Sequence, residues 1–175
     1  MKKKGYSESV VRAIDNVLHL ERILWDFDDK EGIFSFPLDI ESLDRIFYSI
    51  YVQKNAFTTL AAAPILADVS DKEMMNSLVM FCNIVNNGIS WGNFEADIET
   101  GEIRFHVYVD CEGIPAPSKE MVRNSIFSAA AMHMTFKPGI MALINKKCDT
   151  AEEAFEKCRN NIAAFLENDA ETQQD

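Results

Sequence analysis

A chain of 175 residues, 47% hydrophobic and 26% charged, is long enough to close one substantial core and lies far from the polar, aromatic-poor composition of disorder. Its net charge of −11 repels phosphate backbones, and the basic run Lys2-Lys3-Lys4 is too short to reverse that, so no nucleic-acid partner is expected. Glu8, Arg12 and Asp15 interrupt the stretch where a signal peptide needs an apolar run, and no window approaches the ~20 apolar residues of a membrane span, so the chain reads as cytoplasmic with no membrane partner.

Val10, Ile14, Val17 and Leu18 recur at three- and four-residue steps and predict a helix over residues 7–20 whose apolar stripe covers a sheet. Residues 24–27 and 33–38 then read as two aromatic-rich strands joined by the polar turn 28–32. Proline cannot donate to a ladder, so Pro37 should end the second strand or lie at an edge. A second pair of extended segments, 46–52 and 57–63, is linked by Gln53, Lys54 and Asn55. The first of these is apolar or aromatic at nearly every position, which predicts cover on both faces, and by period alone residues 43–51 also fit a helix.

Ser70-Asp71-Lys72-Glu73 has the form of a capping box opening a helix with the stripe Met75, Leu78, Cys82, Val85 and an end near Asn86, Asn87 and Gly88. Residues 91–98 and 102–110 give the strongest hairpin signal, with Phe94, Ala96 and Ile98 facing inward beside Ile103, Phe105, Val107 and Val109, around a Thr100-Gly101 turn. That pattern sets Asp97 opposite Arg104 and Glu95 opposite His106 on the outer face. Ser118 is a suitable N-cap for a long helix over 119–136, which Pro138 should stop or restart through residue 146. A last helix starts at Thr150, with Ala151, Phe155, Cys158, Ile162 and Phe165 on one side. The domain organisation is a basic tail over 1–6, one α+β domain over 7–168 and a polar tail over 169–175.

Chemistry has no anchor in this chain. His19, His106 and His133 fall on separate elements without metal-binding spacing, and Asp26, Asp28, Lys30 and Gly32 fail as a calcium loop because lysine holds a ligand position and the glycine is displaced. Cys82, Cys111, Cys148 and Cys158 form no C-x-x-C pair and read as reduced thiols, Cys82 and Cys158 being packed on helical stripes. No G-x-S-x-G, P-loop or G-x-G-x-x-G occurs, so no catalytic residue, cofactor or metal is assigned. Methionines at 74, 75, 80, 121, 132, 134 and 141 suit a helical core and also an adaptable binding groove.

The succession of a helix carrying Asn83, then Gly92 and Phe94, then Asp97, Gly101 and Ile103 in a hairpin, then a long helix ending near a proline, resembles the YbjN-like family of bacterial sensory transduction regulators. That family is grouped by fold with the type III secretion chaperones. The resemblance implies an α-β-β-β-α-β-β-α core with an antiparallel sheet packed by helices, a tendency to homodimerise, and work as a small acidic adaptor or chaperone. The helix from Thr150 is an addition to that plan. The expected partner is therefore a protein segment or a second copy of the chain. In the register above, Trp91, Glu95, Arg104, His106 and Tyr108 share the outer face of the hairpin and form the candidate protein-interaction face, aromatic at its centre and charged at its rim. The alternative is a small-molecule-sensing domain with a pocket between the sheet and the methionine-bearing helices.

Overall fold

The computed structural model describes residues 5–40 and 44–163. The fold is α+β, with the elements α1 (Glu8–Leu20), β1 (Asp26–Asp28), β2 (Ile33–Ile40), β3 (Asp44–Val52), β4 (Ala56–Leu66), α2 (Lys72–Gly88), β5 (Asn93–Ala96), β6 (Glu102–Asp110), α3 (Lys119–Ile144) and α4 (Ala151–Lys157). Six strands form one sheet in the order β1-β2-β3-β4-β6-β5, antiparallel from β1 through β4. The first run holds four strands, as the four hydrophobic segments specify and one more than the family resemblance implies. Two compact units divide the chain: residues 1–64 with 106–130, and residues 65–105 with 131–175.

In the first unit, Ser7 caps α1 by accepting from the Val10 N–H, and Val10, Ile14, Val17 and Leu18 are buried as the periodicity requires. The inner side of the sheet carries Phe34 and Phe36 from β2, Ile46, Tyr48, Ile50 and Val52 from β3, and Phe57, Thr59 and Ala61 from β4, all buried. Two polar groups in this core are satisfied by the helix above: the Tyr48 hydroxyl donates to the Ile126 carbonyl at 2.9 Å and Thr59 Oγ1 donates to Ser125 Oγ at 3.0 Å. Such bonds fix where α3 lies on the strands, because a buried hydroxyl without a partner costs about 1–3 kcal/mol. The opposite side of β3 departs from expectation. Burial alternates strictly along the strand, so residues 46–52 are covered on one face and Phe47 and Tyr51 stand exposed on the other. Chain period alone could not tell an apolar strand buried twice from one that displays aromatics.

Pro37 does not end β2, which runs on to Ile40 opposite β3. Its ladder with β1 stops at Ser35. The Val52 N–H donates to the Gly32 carbonyl at 2.9 Å, so by alternation the even-numbered residues of β2 turn their backbone groups to β3 and Pro37 turns its nitrogen away, where no donor is needed.

In the second unit the cap of α2 is Asp71, whose carboxylate accepts from the Met74 N–H at 3.1 Å; Ser70 instead binds Asp68. Beyond the expected stripe, Met74 and Phe81 are also buried. The hairpin register differs by two residues from the one expected. Asp97 Oδ1 accepts from the N–H groups of Glu99 and Thr100, Gly101 donates to the Asp97 carbonyl, and the Asp97 N–H donates to Glu102. This Asx turn makes 98–101 the loop, expels Ile98 into solvent, and sets Glu95 rather than Asp97 against Arg104, at 2.8 Å. Neither Asp97 with Arg104 nor Glu95 with His106 is the cross-strand pair.

Ser118 caps α3 through the Met121 N–H, as expected, but Pro138 lies inside a helix of 26 residues that continues unbroken to Ile144. A proline leaves the carbonyl four residues back without its helical donor. That carbonyl, of Met134, accepts from Asn161 Nδ2 at 3.1 Å, so a later segment supplies the missing bond. Thr150 caps α4 by accepting from the Glu153 N–H, and Ala151, Ala154 and Cys158 are buried, with Phe155 stacked on Phe136 at 6.3 Å. Phe165, the last residue of the expected stripe, lies outside the described residues.

Candidate functional site

Burial pushes the Cys82 thiol up to about 12 and that of Cys158 to about 11, and it raises Cys111 and Cys148 as well, so none of the four is poised as a thiolate at neutral pH. His133 is buried edge-on to Phe94 at 5.3 Å, whereas His19 packs against Trp25 at 4.8 Å near the end of α1. Among the described residues no group of three or more His, Cys, Asp or Glu side chains is placed to hold a metal ion. Within the second unit a cleft of 170 Å³ is bordered by Asp71, Met74, Leu143, Lys146, Cys148 and Asp149. Its one cation, Lys146, is held 2.8 Å from Asp71, and the space is well below the ~300 Å³ at which ligand pockets begin.

The five residues of the expected interaction face are distributed as follows. Glu95 and Arg104 neutralise each other in the second unit, both about one third exposed. Trp91, 40% exposed, precedes β5 and is separated from it by Gly92 at φ +75°, so strand alternation does not extend to its ring. His106 and Tyr108 belong to the first unit; His106 is half-buried and Tyr108 is 55% exposed on the outer side of β6. Neither aromatic ring is therefore buried by the long methionine-bearing helix.

A larger exposed aromatic surface was missed in the sequence. On the outer side of the first unit the strand register sets three cross-strand rows: Ile33, Tyr51 and Thr58; Ser35, Ser49 and Leu60; Pro37, Phe47 and Ala62. Phe47 is 51% and Tyr51 39% exposed, on a strand in the interior of the sheet where inner-face partners hold the backbone rigid. None of the nine residues is charged. The alternation that would have revealed the face is present in the sequence, but Phe47 and Tyr51 are as apolar as their buried neighbours and so mask it.

Both lateral edges of the sheet are poor places for strand addition. Beyond β1, the outward backbone position at Pro37 has no N–H to offer. At the other end, Asn86 of α2 binds both backbone groups of Phe94 in β5, accepting from its N–H at 2.7 Å and donating to its carbonyl at 2.9 Å. One carboxamide thus mimics the strand that would otherwise pair there. A polypeptide has better access to the open face than to an edge.

No helix among the described residues is long and apolar enough to cross a membrane. Against known proteins, no family model matches this chain, and neither a curated protein nor a solved structure matches it at a significant level.

Proposed function

We propose that this chain is a non-enzymatic adaptor or chaperone-like regulator that binds a protein segment on the outer face of β2, β3 and β4. The observation that carries this reading is the pair of exposed aromatics, Phe47 and Tyr51, on the middle strand of a nine-residue patch without charge in a chain where 26% of residues are charged. Covering the exposed part of each ring removes on the order of 100 Å² from water, about 2 kcal/mol apiece. Aromatics on a rigid strand also lose little entropy on binding, which is why they dominate interface energetics. The resemblance to the YbjN-like family supports the same kind of work. A small-molecule sensor is less favoured, since the cleft beside Lys146 is small and the larger hollow of 440 Å³ along His19, Arg22, Ile23, Leu24 and Trp25 is shallow, open to solvent and lined by no methionine.

The test is a photo-crosslinking amino acid placed in cells at Phe47 and, as a control of similar exposure on α2, at Val79. An adduct with a defined polypeptide at 47 and not at 79 is expected. Equal labelling at both positions, or none at 47, overturns the reading.

A further inference from the structure

We infer that the segment bound on this face is basic and amphipathic: a stretch of a partner protein that sets apolar side chains on Phe47 and Tyr51 and reaches acidic groups at both sides of the patch. This inference rests on the polypeptide-binding reading above and adds the chemistry of the partner. The register places Asp26 opposite Ser35 and Asp28 opposite Ile33, so both carboxylates share the outer side of the sheet, and both are exposed. Alternation along β6 puts exposed Asp110 on the outer side with Tyr108. The remaining charges on this side of the first three strands, Asp39 and Arg45, cancel in a 2.7 Å ion pair. An uncharged centre is therefore flanked by carboxylates on β1 and on β6.

Four strand spacings separate β1 from β6 in the order β1-β2-β3-β4-β6, about 19 Å at ~4.8 Å each. A helix of about 13 residues has that length, and so do about six residues of extended chain. A second copy of the chain fits less well, because it would bring the same three aspartates and another net charge of −11 onto the face. An acidic segment meets the same repulsion, and a neutral one brings no cation to the flanking carboxylates, of which Asp28 and Asp110 accept from the backbone N–H groups of Lys30, Glu31 and Glu112 but keep their negative charge.

Three fluorescein-labelled 14-residue amphipathic helical peptides, identical on the leucine side and carrying Lys, Gln or Glu on the polar side, test the inference by anisotropy with the full chain. The lysine peptide is expected to bind at least tenfold more tightly than the glutamine peptide and to weaken with salt. Phe47→Ser with Tyr51→Ser should lose tenfold or more of that affinity although no charge changes. Asp26→Asn, Asp28→Asn and Asp110→Asn together should bring the lysine peptide to the level of the glutamine peptide. Should the aromatic double variant unfold by circular dichroism, Ser35→Arg, at an exposed outer position, serves in its place and is expected to weaken the lysine peptide likewise. Equal affinity for lysine and glutamine peptides, lost in the aromatic variant, overturns the basic partner and leaves the binding face standing. Lysine-peptide binding that the face variants do not alter, or no binding of any peptide, overturns both. A dimer in sedimentation that the same variants dissociate assigns the face to a second copy and overturns the inference.

Discussion

Gly101 sits in the left-handed region at φ +77°, closes the Asp97 turn, and accepts from the Ala67 N–H at 2.9 Å through its carbonyl. A β-carbon there would run into the Ala67 carbonyl oxygen, so two independent penalties act at one position. Gly101→Val is expected to cost at least 2–3 kcal/mol, on the order of strain plus displaced backbone, while Glu99→Val at an exposed loop position stays within about 0.5 kcal/mol. Urea denaturation of the two variants checks this, and equal midpoints contradict the turn. The Thr100-Gly101 signal was legible because only a few residue types tolerate a positive φ. The register around it was not legible, since the Asp97 side chain competes for the loop N–H groups and ends β5 two residues early, at Ala96.

At the scale of elements, helix starts followed their chemistry. Ser7, Ser118 and Thr150 each cap the helix they precede, and at α2 the choice between adjacent Ser70 and Asp71 fell to the carboxylate. Pro138 broke the pattern because its consequence depends on a residue 23 positions later. With Asn161 donating to the Met134 carbonyl, the acceptor that proline strips of its helical donor is satisfied, and α3 continues. Gly139 beside it allows α4 to approach, since a β-carbon there would lie 2.6 Å from the Ala154 carbonyl oxygen and 2.6 Å from the Phe81 ring. Asn161→Ala should cost about 0.5–1 kcal/mol in the natural sequence and almost nothing beside Pro138→Ala, where an amide N–H can reach Met134 again. A double-mutant cycle measured by thermal unfolding checks it, and strict additivity of the two changes contradicts the proposed role of Asn161.

For the whole molecule, the sequence conveyed the class of fold and the four-plus-two grouping of strands, because alternation and turn residues are local. It did not convey which face of the sheet would be left open. That depends on where the first half of α3 settles within its unit, and it settles on the side where Tyr48 and Thr59 find partners. Of the residues expected to form an interaction face, Tyr108 lies on the outer side of β6, and Glu95 and Arg104 are engaged with each other. On the proposed function, Phe47 and Tyr51 are covered by a polypeptide when the protein works. Hydroxyl-radical footprinting compares their oxidation in intact cells with that in the purified chain, using Met80, 51% exposed on α2, as the internal reference. Phe47 and Tyr51 are expected to be protected several-fold in cells while Met80 is oxidised alike in both. Equal oxidation of Phe47 and Tyr51 in the two settings would contradict it.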